Sequence, residues 1–215
     1  PSYLRDFIYG AIDGAVTTFA IVAGAAGASL GDSVVLIMGL ANLFADGFSM
    51  AVSNYLGIFA ERDERKLARE TEELHVRETP EGERNEFREI YRAKGFEGED
   101  LERVVAVITS DEDRWIDTMM KEELGYGTDI ESPGKAAFAT FSAFVLIGIL
   151  PLIPFLLNLL SEDFIRHPFL VSGILTGLGF FGVGVVKAQV VSQAWWKGGF
   201  QTFALGGSAA GVAYL

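Results

Sequence analysis

The stretch "VVLIMGLANLFADGFSMAVSNYLGIFA", residues 34–60, decides how the rest of the chain is read. It is a nearly unbroken apolar run, and a helix needs about 20 such residues to cross the hydrocarbon core of a bilayer. Yet Asp46 stands near its middle, with Asn42 one helical turn before it and Met50 one turn after. A carboxylate at that depth is expensive to desolvate, and side chains of this kind mark ion and proton pathways.

Outward from this run, the charge of the chain is strongly segregated. The formal net charge is −12, and residues 61–135 hold 23 of the 29 acids and 13 of the 17 Lys and Arg. The rest of the chain is apolar and glycine-rich, which a water-soluble domain of mixed surface does not produce. The expected class is an all-α polytopic membrane protein with five transmembrane helices, at about 7–29, 34–60, 136–159, 168–187 and 195–215, and one hydrophilic insert. The domain boundaries follow: residues 1–60 carry the first two spans, 61–134 an acidic helical domain, and 135–215 the last three spans.

Orientation follows from the excess of Lys and Arg on cytoplasmic loops. With the N-terminus inside, Arg5, the insert and the turn flanked by Lys187 and Lys197 are cytoplasmic, and only Arg166 falls outside. The first span lacks the basic leader of a cleaved signal peptide. A short N-terminus without a targeting extension favours a prokaryotic cytoplasmic membrane, or a vacuolar membrane if the source is eukaryotic. The absence of cysteine excludes disulfides and thiolate metal sites. Neither a nucleic-acid partner, nor a small organic substrate, nor an enzymatic reaction is expected.

Within the spans, the pairs Gly10/Gly14, Gly173/Gly177 and Gly207/Gly211 have the four-residue spacing that lets helices approach closely in lipid. Packing within one chain is the favoured use and a dimer face the alternative. Pro151 and Pro154 should kink the third apolar span. In the insert, the second span should run on without a breaker to Glu78. Three shorter helices should follow, with Thr79 and Ser110 as caps and Gly95 and Gly125 as stops.

The candidate chemistry lies in both parts. Asn42, Asp46, Met50 and Asn54 recur every four residues and form one stripe on the second helix, while Asp13 is the acid of the first span. Carboxylates with a thioether suit a divalent transition metal better than Na⁺ or Mg²⁺. In the insert, the charged run after residue 60 reads as a solvated face, with Glu61 pairing Arg65. Glu83 and Glu86 have no basic partner on their own helix, and Glu70 and Glu73 repeat their spacing. Two such pairs facing each other would concentrate carboxylates as a metal site does. Trp115, Met119 and Glu123 share a face of the last insert helix. His75 and His167 read as lone histidines and carry no assignment.

Three stretches resemble the vacuolar iron transporter family: "RDFIYGAIDGAVTTFAIVAGAAGA", "GLANLFADGFSMAVSNYL", and "WIDTMMKEELG" followed by "FVLIGILPLIPF". The resemblance implies a five-span homodimer in the lipid bilayer that exchanges Fe²⁺, and often Mn²⁺, for protons and moves metal out of the cytoplasm. It implies that Asp13 and Met50 line a path between subunits, with Asp46 standing in for an acid that some members carry where this chain has Asn42. It also implies that Glu70, Glu73, Glu83, Glu86, Met119 and Glu123 are the ligands of a cytoplasmic metal-binding domain. Glu78, Glu81 and Glu89 are the substitutes should the register differ. A membrane-anchored protein that stores or senses iron without transporting it is the alternative.

Overall fold

The computed structural model describes residues 3–127, 131–161 and 164–214, the side chains of 209–211 and 213–214 excepted. Among the described residues the fold is all-helical. The elements are α1 (Leu4–Gly27), α2 (Asp32–Glu78), α3 (Pro80–Ala93), α4 (Gly98–Thr109), α5 (Glu112–Glu122), α6 (Pro133–Gly148), α7 (Ile153–Leu160), α8 (Pro168–Val190) and α9 (Trp195–Tyr214). They form two compact units, one of Gly57–Glu131 and one of Ser2–Leu56 with Ser132–Leu215.

Among the described residues, four segments are long and apolar enough to cross a membrane: α1, α2, the α6-to-α7 segment Pro133–Leu160, and α8. The protein is therefore an integral membrane protein. Helix α9 is 20 residues long but opens on "WWKGGFQ", and it is not among those four. α2 runs unbroken for 47 residues, as the lack of Gly or Pro between Ile58 and Glu78 predicts. The third apolar segment is interrupted at its prolines, beyond the kink expected there. α6 ends at Gly148, a 3₁₀ turn covers Leu150–Leu152, and α7 resumes at Ile153. Proline lacks the N–H that an interior helical position donates, so the ladder cannot pass through intact.

In the apolar unit, the large side chains that point outward are Ile37, Phe44, Phe48, Phe138 and Leu178, each more than half exposed. In water such a surface would drive aggregation, whereas lipid solvates it. Helix association in lipid relies on close backbone approach, and α1 meets α6 in that way. A Cβ at Gly10 would collide with the Thr140 carbonyl oxygen, and one at Gly14 with that of Phe144. Gly173 and Gly177 instead face the rings of Phe19 and Phe203. Both pairs serve packing within the chain. The core beside them holds Val22, Val35, Leu43, Phe144 and Phe155.

The hydrophilic unit has a conventional water-excluding core. Leu101/Val105 on α4 and Trp115/Met119 with Ile116/Met120 on α5 are i,i+4 pairs that close on Phe87 of α3 and Val76 of α2. Each large apolar side chain buried there contributes about 1.5–3 kcal/mol of transfer free energy. Gly95 (φ 95°) and Gly125 (φ 73°) end α3 and α5 in the left-handed region that glycine tolerates. Two expected caps differ. The Thr79 hydroxyl donates back to the His75 carbonyl and accepts from no N–H of α3, and Asp111, one residue past Ser110, accepts from the Arg114 N–H at 2.9 Å. Hydroxyls compete for carbonyls of the preceding turn in this way.

Replacing Gly14 with Ala should lower thermal stability in detergent by about 1–3 kcal/mol, because the methyl group meets fixed backbone. Gly24→Ala, where the added methyl finds open space, should be neutral in the same unfolding assay.

Candidate metal centre

Three buried-core positions in the hydrophilic unit each carry a glutamate one helical turn away: Val76 follows Glu72, Phe87 follows Glu83, and Met119 precedes Glu123. Residues four apart share a helix face, so packing those apolar side chains together draws the three acids to one rim of the core. One carboxylate oxygen from each lies within 4.8 Å of the others. Glu72 and Glu83 are buried, and Glu72 Oε1 and Glu83 Oε2 have no hydrogen-bond partner. His75 Nδ1 stands 3.6 Å from Glu83 and 3.9 Å from Glu72.

The electrostatics follow from that crowding. Burial, then the charges of Glu83 and Glu123, push the Glu72 carboxyl up to about 7 from its ordinary 4.5. Burial and the Glu86 charge also raise Glu83 and Glu123, and His75 opposes the rise at all three. Buried carboxylates without a cation are costly. A divalent cation between them would offset that cost, and three carboxylate oxygens with one imidazole nitrogen suit Fe²⁺ or Mn²⁺.

Of the insert residues that the sequence singles out, Glu83 and Glu123 belong to this cluster. Glu86 is exposed but close enough for its charge to bear on all three members. Met119 is fully buried in the apolar core, and its carbonyl accepts the Glu123 N–H. Glu70 and Glu73 are not brought in. Glu70 lies 3.7 Å from Lys66, and Glu73 lies 3.3 Å from Arg69. Glu72 and His75 take the place beside Glu83. Their signal was present in the sequence: Glu72-x-x-His75 has the spacing of carboxylate-bridged metal sites, and Glu72 shares a face with Val76. Histidine 75 is thus not a lone histidine. The expected Glu61–Arg65 pair is not formed; on α2 it is Lys66 and Arg69 that pair with Glu70 and Glu73 one turn on.

In the apolar unit, Asp13 of α1 and Asp46 of α2 are both exposed and near enough to interact electrostatically. Asn42 donates to Thr17 and Thr18 at 3.2 and 3.5 Å, tying α2 to α1. Met50 is half-buried against the Val22–Phe144 core. A fifth polar residue, outside the expected first span, is the buried Asp6. Asn54 donates to Asp6 and to Thr140 of α6, both at 2.8 Å. The stripe on α2 therefore has asparagines at both ends that bond neighbouring helices, and Asp46 between them.

These features define a class: an all-helical integral membrane protein with a water-excluding helical unit that gathers carboxylates at the rim of its core. Comparison with known proteins places it further. The model of the VIT family matches residues 4–215, and the chain belongs to that family. A vacuolar iron transporter of Toxoplasma gondii is 36% identical over 220 residues, covering 99% of this chain and 72% of that protein. Vacuolar iron transporter 1 of Arabidopsis thaliana is 32% identical over 218 residues, covering 98% and 83%. A vacuolar iron transporter of Plasmodium falciparum is 32% identical over 196 residues, covering 88% and 72%.

The raised Glu72 carboxyl sets a pH dependence. The folded state holds a proton there that the unfolded chain has already released, so metal-free stability should fall as pH rises from about 4.5 to about 7, and level off above. Glu72→Gln should flatten that fall and weaken metal binding by about tenfold or more. Thermal unfolding followed through Trp115 fluorescence, with Trp195 and Trp196 replaced by Phe, reads the first effect, and metal titration the second.

Proposed function

We propose that the protein is a proton-coupled antiporter that exports Fe²⁺, and Mn²⁺ with it, from the cytoplasm. The observation that carries this reading is the pair Asp13 and Asp46, two carboxylates brought near each other on helices of membrane-spanning length. Ionisable groups so placed mark ion and proton routes, and a divalent cation passing between them displaces protons. Asn42 and Met50, above and below Asp46 on the same stripe, complete the route with an amide oxygen and a soft thioether.

The hydrophilic unit captures the metal on the cytoplasmic side. Glu72, Glu83 and Glu123 with His75 form the receiving site, and the charge of Glu86 draws cations towards it. Met119 packs the core beneath Glu123, while Glu70 and Glu73, turned towards Lys66 and Arg69, stand outside this site. The domains divide accordingly: residues 1–60 and 135–215 form the transport unit and 61–134 the capture domain, with α9 as a fifth span and the N-terminus cytoplasmic. The functional form is a homodimer. Asp13 and Asp46 are exposed on one chain, and α2 presents Ile37, Phe44 and Phe48 outward. A second copy would enclose the acids between subunits. The relatives named vacuolar iron transporter give the cargo its identity.

The storage or sensor reading draws support from one feature: the capture site is built entirely within a unit that has its own apolar core. Reconstituted proteoliposomes separate the two. Iron added outside should drive a proton flux in wild type that drops at least about tenfold in Asp13→Ala and in Asp46→Asn. Bound iron without flux, or flux untouched by both substitutions, returns the protein to the storage class.

A further inference from the structure

The hydrophilic unit is acidic throughout, yet its basic residues are not evenly interleaved. A cleft of about 560 Å³ in that unit is lined by Arg62, Arg65, Lys66 and Arg69 of α2 and by Lys121 of α5, against two carboxylates, Asp63 and Asp117. The α2 residues fall at i, i+3, i+4 and i+7, so they share one helix face.

Their charges are not all satisfied. Arg69 is engaged by Glu73 and Asp113, both at 3.3 Å, and by Asp117. Lys66 faces Glu70 at 3.7 Å with both side chains well exposed, an arrangement that is worth little. Arg62 and Arg65 form no ion pair among the described residues, and Arg65 is half-buried. The floor of the cleft is apolar, with Met120 buried and Phe59 and Tyr126 beside it. Of the two acids in the cleft, Asp117 is engaged by Arg69, and Asp63 forms no ion pair with Arg62 or Arg65 among the described residues, so the basic side chains outnumber the acids there five to two.

We propose that this cleft binds a phosphate group, with Arg62 and Arg65 as its main contacts and Lys121 closing the opposite side. The planar guanidinium fork matches phosphate oxygens in pairs, and two unpaired forks in one cleft are the means by which proteins hold that group. The place on α2 fits. Arg62 comes two residues after the apolar stretch ends at Ala60, about 3 Å further along the helix axis. Basic side chains immediately beyond a span meet anionic headgroups, and the Met120, Phe59 and Tyr126 surface suits the glycerol and first methylenes below one. The same phosphate chemistry is also presented by a soluble ion.

The full-length protein in a non-ionic detergent tests this by thermal unfolding, with dioctanoyl phosphatidylglycerol, uncharged dioctanoylglycerol and inorganic phosphate in parallel. Phosphatidylglycerol should raise Tm saturably and dioctanoylglycerol should not. R62Q/R65Q should weaken the apparent affinity by about tenfold or more, while Arg103→Gln, an equal kind of charge loss outside the cleft, should leave it unchanged. Lys121→Gln, on the other helix, should show the same loss as R62Q/R65Q and keeps the test valid if that double variant folds poorly. Stabilisation by inorganic phosphate as strong as by the lipid identifies a soluble ligand, and stabilisation by the lipid alone a headgroup; both support the site. No response to any phosphate, or an undiminished response in both R62Q/R65Q and Lys121→Gln, overturns it. Metal transport plays no part in the assay, so failure here and failure of the antiport reading are distinguishable.

Discussion

Carboxylates held where their charge is costly are the constraint on which the rest of this structure depends. Glu72, Glu83 and Glu123 converge at the rim of an apolar core, where His75 is the cation-forming group among the described residues that opposes their repulsion. Leaving buried charge uncompensated is among the larger destabilising effects available to a protein. The surrounding helices must therefore supply enough apolar contact to hold the acids together without metal, and the Phe87, Ile116 and Met119 core does so. A cation that enters such a site is favoured by the strain it relieves as well as by the bonds it forms.

The apolar unit solves a different problem with different means. Lipid offers no hydrophobic drive between helices, so contact there comes from fit and from hydrogen bonds. Gly10 and Gly14 admit the backbone of α6 directly, while Asn54 joins Asp6 and Thr140 across three helices. Asp13 and Asp46 take no part in that bonding. Their separation from the structural network leaves them available for a cation or a proton, whereas Asn42 gives its amide N–H to Thr17 and Thr18 and keeps only its oxygen free for a cation.

α2 links the two problems through a single uninterrupted helix. Its first half is apolar and its second carries Glu72 and His75, along with the basic face of Arg62 and Arg65. Because the helix has no breaker, the rotational position of every side chain along it is set by the 100° step per residue. Acid placement in the hydrophilic half is thus a matter of register: Glu72 aligns with the buried Val76, whereas Glu70 and Glu73 turn towards Lys66 and Arg69.

The amino-acid sequence by itself determined the helical class, the charged segment between apolar runs, a distortion of the third span at Pro151 and Pro154, and the unbroken course of α2. These are local consequences of hydropathy, chain length and missing N–H groups, and they need no knowledge of neighbours. It also singled out Asp13 and Asp46 as acids in apolar runs, Glu83 as an acid without a basic neighbour on its helix, and Glu123 as an acid on the face that carries Trp115 and Met119. Only the tertiary structure decided that Glu72 with His75, and not Glu70 with Glu73, stands beside Glu83, that Met119 lies in the core, and that Asp6 is buried against Asn54. The physical reason is that which acid faces a partner depends on how α2, α3 and α5 rotate to bury Val76, Phe87 and Met119 against one another, and that rotation is a property of the packed core.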